Sequence, residues 1–230
     1  MGKQYIQILD LISDDVNDKF MVTIYGKSKD NKNVVLNVID FKPFFYVRVP
    51  NSWNIQTAKG FFEKFKFKDK KFTIDKDETE YDIKMEYLPR SYHNFYIYNE
   101  EKFSFLKLNF SSHGLMKKMI NKIRKFYNAC REAQDPDKKS FYQLNDEGGE
   151  FRFDSNLYES NIHPLLRFIH DRDIQPSGWI EFEYNKEVKE KNKIYNCDIQ
   201  YDEIPYEHIK PYDSSDTSKY KIASFDIECD

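Results

Sequence analysis

The first fifty residues consist of short apolar runs separated by polar turns, a pattern typical of β-strands with tight connections. Tyr5–Ile12 is apolar on both alternating faces, which predicts a strand covered on both sides. Phe20–Tyr25 and Val34–Ile39 flank a polar turn and predict a hairpin. With a fourth strand at Phe44–Val49, this region predicts a small twisted antiparallel sheet or a partial barrel.

The following segment predicts one helix and several strands. Asn51 or Ser52 is the expected N-cap of a helix that covers Trp53–Phe65. The strands are expected at Lys71–Ile74, Ile83–Leu88, Tyr92–Tyr98 and Lys102–Phe110, and the last two form a hairpin.

The clearest helical pattern covers Leu115–Arg131, with Ser111 or Ser112 as its expected cap. Its apolar stripe consists of Leu115, Met116, Met119, Ile120, Ile123, Phe126, Tyr127 and Cys130. The rest of its surface is basic and contains no acid, and it carries Lys117, Lys118, Lys122, Arg124, Lys125 and Arg131. Such a face could lie along nucleic-acid phosphates, or it could be an ordinary solvated helix surface.

The second half of the chain begins with a polar stretch. Glu132–Asn156 contains a proline and two consecutive glycines and predicts a loop. Leu157–Asp171 predicts a turn followed by a short helix after Pro164. We expect a third hairpin formed by Gly178–Tyr184 and Ile194–Tyr201. A surface linker is expected at Ile204–Lys219, and a last strand at Tyr220–Cys229.

Two carboxylates share one face of the last predicted strand. Because side chains alternate along a strand, Asp226 and Glu228 point to the same side, with backbone positions about 6–7 Å apart. Both side chains can then converge on divalent cations, as two-metal phosphodiester hydrolysis requires. An Asp-x-Glu pair alone is a weak signal among 39 acidic residues, since most such pairs are solvated strand edges.

Composition narrows the class of protein. Hydrophobic residues make up 40% of the chain and charged residues 33%, which permits a packed core. No apolar run approaches the ~20 residues of a membrane helix, and the start lacks the apolar core of a signal peptide. Cys130, Cys197 and Cys229 are far apart and suggest neither a disulfide framework nor a zinc site. We therefore expect an intracellular protein without membrane partners.

Charge and aromatic residues are compatible with nucleic-acid binding. The net charge is −3, but lysines are concentrated at 59–71 and in the predicted basic helix, whereas residues 198–230 are strongly acidic. This asymmetry fits a polyanion-binding face and a cation-binding site. Phe and Tyr of the first sheet could stack on unpaired bases, although core packing is the more common role of such residues.

Three stretches resemble B-family DNA polymerases, especially the delta-like and large-DNA-virus branch. Ala223–Cys229 is similar to the first exonuclease motif of that family. Leu157–Ile162 and Gly178–Ile180 resemble the segment before this motif, and Phe41–Val47 with the preceding hairpin resembles the N-terminal sheet. The order and spacing of these stretches also match, and the resemblance covers most of the chain.

The resemblance implies an α+β fold with mixed, mostly antiparallel sheets, helices and a partial, oligonucleotide-binding-like barrel. The N-terminal domain is expected at residues 1–215, with sub-lobes at 1–50, 51–131 and 157–201. Residues 216–230 would begin a ribonuclease-H-like 3′→5′ exonuclease domain.

By the same resemblance, Asp226 and Glu228 are the expected catalytic residues and ligands of Mg²⁺ or Mn²⁺. No role is carried over to Asp230, which lies beyond the motif. Independently of the resemblance, we expect Arg167 and Trp179 to be packing and salt-link residues without a chemical role. The later exonuclease carboxylates and the polymerase palm lie outside these residues, so we expect this piece to be inactive and without bound metal.

The parent would be a replicative DNA-directed DNA polymerase with proofreading, acting in the nucleus or at a viral replication site in the cytoplasm. Its expected partners are template DNA, the remaining polymerase domains and a sliding clamp or accessory subunit. The piece itself would contact single-stranded template and act as a scaffold, with candidate contacts at Lys117, Lys118, Lys122, Arg124 and Lys125. Two alternatives stay open: a stand-alone single-stranded nucleic-acid-binding module and a protein-interaction scaffold.

Overall fold

The computed structural model describes residues 2–50, 52–57, 83–89, 102–132, 143–146, 149–152, 157–184 and 186–219. The chain divides into two compact units, described separately below. The first comprises Met1–Asp14, Met21–Phe41 and Leu165–Asp230, and the second comprises Asp15–Phe20 and Lys42–Pro164. Four predicted elements fall wholly or mostly outside the described residues: Trp53–Phe65, Lys71–Ile74, Tyr92–Tyr98 and Tyr220–Cys229.

The elements are numbered here in chain order. The strands are β1 (Gln4–Val16), β2 (Lys19–Ser28), β3 (Asn33–Ile39), β4 (Phe44–Val49), β5 (Ile83–Pro89), β6 (Lys102–Asn109), β7 (Gln143–Asp146), β8 (Gly149–Arg152), β9 (Leu157–Tyr158), β10 (Trp179–Phe182), β11 (Ile199–Pro205) and β12 (Lys210–Tyr212). The helices are α1 (His113–Glu132) and α2 (Pro164–Asp171), with 3-10 turns at Glu190–Asn192 and Tyr206–His208.

A six-stranded sheet of order β11-β3-β2-β1-β10-β12 forms the first unit. The predicted hairpin of β2 and β3 is confirmed, with Gly26 opposite Val34. The predicted hairpin of β10 with β11 is wrong, because three strands separate them and β11 pairs in parallel with β3. Hydrogen bonds between Asn33 and Asp198, which precedes β11, hold the start of β11 beside β3: the Asp198 amide donates to the Asn33 carbonyl and Asp198 Oδ2 accepts from the Asn33 amide.

β1 is only half covered. Its first half is paired with β10, and Ile6 and Ile8 are fully buried. Beyond this pairing, Leu9 is 59% exposed and Ile12 is 46% exposed. The prediction that both faces of β1 are covered is therefore wrong beyond Ile8, because Leu9 and Ile12 lie on opposite faces of the strand and both are exposed.

A buried polar network joins β2, β3 and β11. Thr23 and Asn37 are cross-strand partners, and the Thr23 hydroxyl donates to Asn37 Oδ1 at 2.9 Å. Asn37 Nδ2 donates to Asp202 at 2.7 Å, and Gln200 Nε2 donates to the same carboxylate at 2.9 Å. These bonds satisfy polar groups that would otherwise cost stability inside the sheet.

The second unit contains an antiparallel sheet of order β5-β6-β4-β9, against which α1 packs. β4 has the predicted bounds, but it lies in this sheet and not with β1–β3 as expected. The chain turns just after β3 at Asp40, whose φ of 69° is left-handed. The shared core of sheet and helix consists of Phe45, Val47, Val49, Leu106, Leu108, Phe110, Met116, Met119, Ile120, Ile123 and Leu157.

Three further expectations need correction. The predicted loop Glu132–Asn156 contains the β7–β8 hairpin. The predicted linker Ile204–Lys219 contains a 3-10 turn and β12, and its Ile204 and Ile209 are fully buried. The sequence predicted Asn51 or Ser52 as the cap, whereas the helical turn at residues 55–57 is capped by Asn54, since Asn54 Oδ1 accepts from the Thr57 amide at 2.9 Å.

The α+β class with mostly antiparallel sheets and a curled half-barrel is confirmed. β5, β6, α1 and α2 also lie where the sequence predicts them, within a few residues. The aromatic residues Phe41, Phe44, Phe45 and Tyr46 are buried, as expected for core packing.

Gly26 is required by the close approach of β2 to β1. A Cβ at this position would lie 2.5 Å from the Gln7 carbonyl oxygen and 3.3 Å from Ile6 Cδ1. The nearer atom belongs to the backbone of a paired strand, so it cannot move aside without disturbing the ladder.

We expect Gly26→Ala to lower the free energy of unfolding by about 1–3 kcal/mol, the range typical of an overpacked site. Urea denaturation measures this difference. Gly2→Ala is the matched control, because a Cβ at Gly2 meets nothing within 4 Å. Identical denaturation midpoints for the two variants would contradict the close contact.

Candidate nucleic-acid interface and metal motif

The basic surface of α1 follows from its amphipathic pattern. Its buried face is formed by Met116, Met119, Ile120 and Ile123, which pack on the four-stranded sheet. The five predicted nucleic-acid contacts lie around the rest of the helix. Lys122 is half-buried, and the four exposed residues are Lys117, Lys118, Arg124 and Lys125. The structure thus places all five residues on one helix.

Lys118 and Lys125 lie farthest from the buried face. They are seven positions apart, which is about two helical turns or ~10 Å along the axis. A helix rotates by about 100° per residue, so both point to nearly the same side, opposite Met116. The two ammonium groups can therefore contact the same polyanion from one side of the helix.

The N-terminus of α1 is closed by the carboxylate of Asp15. Asp15 Oδ1 accepts from the His113 amide at 2.8 Å, and Oδ2 accepts from the Gly114 amide at 2.7 Å. Ser112 Oγ accepts from the Leu115 amide at 3.2 Å, so Ser112 is the cap among the two serines predicted. A free helix N-terminus binds anions readily, but here a side chain of the same chain takes that place.

Sequence reasoning missed Asp15 because it lies 98 residues before the amide that it binds. The first turn of α1 contains no acidic residue of its own. That absence is the one local signal that a carboxylate from elsewhere could complement the helix dipole.

A histidine pair lies at the same end of α1. The rings of His113 and His163 contact edge to face, with centroids 4.9 Å apart. Burial lowers the pKa of His113 below its ordinary value of 6.5, and the charges of Lys117 and His163 lower it further, while Asp15 acts in the opposite direction. The folded chain therefore favours the neutral imidazole of His113.

We expect stability to fall at acidic pH through His113. Because its pKa is lower in the folded than in the unfolded chain, its contribution to stability is complete above about pH 6.5 and is lost as the pH falls through the folded-state value. His113→Asn removes this titration and keeps the backbone amide that Asp15 binds. Denaturation at several pH values should show a steeper acid loss in the wild type than in the variant.

The control for this measurement is His170→Asn, which changes an exposed histidine at the end of α2. Equal acid loss in the wild type and His113→Asn would show that His113 does not contribute to the acid dependence of stability.

The predicted metal ligands Asp226 and Glu228 lie outside the described residues. Within the described ranges, no group of three or more His, Cys, Asp or Glu side chains is arranged to hold a metal ion. The helices in those ranges include none that is long and apolar enough to cross a membrane.

Comparison with known proteins confirms the resemblance to B-family DNA polymerases. Residues 155–230 match the family described as "DNA polymerase family B, exonuclease domain". The DNA polymerase of Acanthamoeba polyphaga mimivirus is 28% identical over 223 residues, covering 95% of this chain and 12% of the viral protein. The DNA polymerase delta catalytic subunit of Plasmodium falciparum is 28% identical over 225 residues, covering 91% of this chain and 18% of that subunit.

A solved structure shows the same fold. The family B DNA polymerase from the hyperthermophilic archaeon Pyrobaculum calidifontis aligns with a TM-score of 0.52 at 16% identity, covering 87% of this chain and 20% of that one. The chain thus spans between about one eighth and one fifth of the length of these polymerases.

Proposed function

We propose that the chain is the N-terminal part of a replicative DNA-directed DNA polymerase with 3′→5′ proofreading activity. The match of residues 155–230 to the family B exonuclease domain carries this proposal. The proposed division places an N-terminal domain at 1–215, with sub-lobes at 1–50, 51–131 and 157–201, and the start of the exonuclease domain at 216–230.

Asp226 and Glu228 are the proposed ligands of the exonuclease metal ions, Mg²⁺ or Mn²⁺. Carboxylate oxygens are the ligands that these hard cations prefer. Ions held by these two residues would activate a water for attack on the phosphodiester and would stabilise the leaving oxygen. The support is the alternation of the sequence, which predicts that both acids share one face of a strand and that its other face is apolar.

We expect Asp226→Ala combined with Glu228→Ala to abolish proofreading in the complete polymerase and to spare nucleotide addition. The loss should exceed the roughly 10–100-fold that removal of an outer-shell partner costs a metal site. Asp230→Ala is the matched control, because it removes an acid from the same predicted face outside the motif. Excision of a mismatched 3′ terminus and primer extension are measured in parallel. Retained excision in the double variant would defeat the assignment.

The second part of the proposal is that α1 contacts single-stranded template. Four exposed cations on one helix supply donors to phosphate without sequence preference. Since Asp15 closes the helix N-terminus, this contact uses side chains and not the backbone amides. The proposal makes the N-terminal domain a DNA-contacting scaffold for the catalytic domains.

We expect weak, salt-sensitive binding of single-stranded DNA that is indifferent to sequence. If Lys118 and Lys125 each contact a phosphate, changing both to Ala reduces the slope of log affinity against log salt by about 1.4. The matched control is Lys189→Ala with Lys191→Ala, which removes two exposed lysines from the other unit. Fluorescence anisotropy over a salt series measures both slopes.

Undetectable binding at low salt would remove the DNA-contact role and favour the interpretation of this region as a protein-interaction scaffold. Equal slopes for the two double variants would place any DNA contact elsewhere than α1. Binding by α1 without exonuclease activity in the complete protein would favour the stand-alone single-stranded nucleic-acid-binding module.

The proposed partners of the complete protein are DNA, its own remaining polymerase domains and a sliding clamp or accessory subunit. Both viral polymerases and delta catalytic subunits are among the relatives. We therefore propose that it acts in the nucleus or at a viral replication site in the cytoplasm.

A further inference from the structure

We infer that Trp179 and Gln7 are positioning residues for the exonuclease motif: they hold the segment that leads into Asp226 and Glu228 against the six-stranded sheet. This inference rests on the proposed function of those two carboxylates. It assigns a role to residues for which the sequence suggested packing alone or nothing.

The segment at residues 213–219 has no apolar side chain. Its sequence is Asp-Ser-Ser-Asp-Thr-Ser-Lys, and most of these residues are exposed. The hydrophobic effect, which is proportional to buried apolar area, therefore contributes little to its attachment. Its attachment must depend on hydrogen bonds and on β12, which precedes it.

Two hydrogen bonds supply that attachment. The indole Nε1 of Trp179 donates to the carbonyl oxygen of Asp216 at 2.7 Å, and Gln7 Oε1 accepts from the amide of Ser218 at 2.7 Å. Trp179 is only 6% exposed, so its ring is held firmly by the surrounding core. Gln7 Nε2 also lies 3.4 Å from the carbonyl oxygen of Ser177, which orients the amide group.

The two anchors form one unit because Gln7 and Trp179 are direct cross-strand partners in the β1–β10 ladder. Side chains of such partners project from the same face of the sheet. They therefore reach the same passing segment, and they bind it at two peptide groups that are two positions apart in sequence, Asp216 and Ser218.

The beginning of the segment is held by an aromatic contact. Tyr212 of β12 and Tyr5 of β1 have ring centroids 4.5 Å apart. Lys29 Nζ lies 4.4 Å from the centroid of Tyr5 and 4.6 Å from that of Tyr212, and it donates to the Tyr212 hydroxyl at 3.1 Å. The chain thus enters the segment from a fixed point, and the anchors at Trp179 and Gln7 set its path afterwards.

The consequence concerns metal binding. Asp216 and Ser218 precede Asp226 by ten and eight residues, so an unanchored segment would let the motif sample more positions. Carboxylates that must be ordered before they bind a cation bind it more weakly, because the ordering cost reduces the affinity. Loss of an anchor should therefore raise the metal requirement of the exonuclease and leave the polymerase site unaffected.

The test uses the complete polymerase and titrates Mg²⁺ in the excision of a mismatched 3′ terminus. Trp179→Phe removes the indole donor and keeps an aromatic ring in the core. Gln7→Leu removes the acceptor for Ser218, whereas Gln7→Glu retains an oxygen acceptor at the same place. We expect Trp179→Phe and Gln7→Leu to raise the half-saturating Mg²⁺ concentration by about 2–10-fold, the effect of losing one net hydrogen bond. Gln7→Glu should stay near the wild-type value.

Comparison with the Asp226→Ala and Glu228→Ala double variant tests the positioning role of Trp179 and Gln7 separately from the proposed function of the two carboxylates. An unchanged Mg²⁺ requirement in Trp179→Phe and Gln7→Leu, with excision abolished in the carboxylate double variant, would overturn the positioning role alone. Excision that survives in the double variant would instead overturn the proposed function. Equal losses of excision and primer extension with a lower Tm would show a general folding role and also overturn the inference.

Discussion

The pairing of β1 with its two neighbours, β2 and β10, is the constraint on which much of the first unit depends. On one side, β2 approaches so closely that position 26 tolerates no Cβ. On the other side, four consecutive pairs with β10 place Gln7 directly opposite Trp179. A shift of one residue in this ladder would turn every side chain of the strand to the other face. The register of β1 therefore decides both what is buried and which groups meet residues 213–219.

The same strand has a separate role at its far end. Asp15 lies near the end of β1 and supplies the carboxylate for the first two amides of α1. A helix with no acid in its first turn and many cations along its length benefits from such a charge at its N-terminus. The bond also gives α1 a defined start, from which the positions of its lysines and arginine follow.

The comparisons and the structure support the proposed function in different ways. The family match covers the stretch that contains the Asp-x-Glu motif, and it extends back through α2, β10 and β11. The structure describes the six-stranded sheet, to which β10, β11 and β12 of this stretch belong, and the bonds that hold Asp216 and Ser218. Metal chemistry is thus proposed from the family and the alternation of the sequence, whereas the path of residues 213–219 comes from the tertiary structure.

The sequence by itself determined the elements whose stability depends on local pattern. The hairpin of β2 and β3, the bounds of β4 and the amphipathic helix α1 all follow from periodicity, because alternation or helical spacing decides which face can be buried. Sequence reasoning also identified the candidate cations of α1, since a helix with one apolar stripe exposes its other positions. The resemblance to a polymerase family rested on short motifs, which are local as well.

Only the tertiary structure decided which strands are neighbours and which distant groups pair. The sequence suggested that β10 and β11 form a hairpin, but bonds between Asn33 and Asp198 place β11 beside β3 instead. The sequence also did not predict the bonds of Asp15 to α1 or the bond of Trp179 to Asp216. Such hydrogen bonds join residues that are far apart in sequence and leave no periodic trace, so their partners are set by the packing of whole sheets.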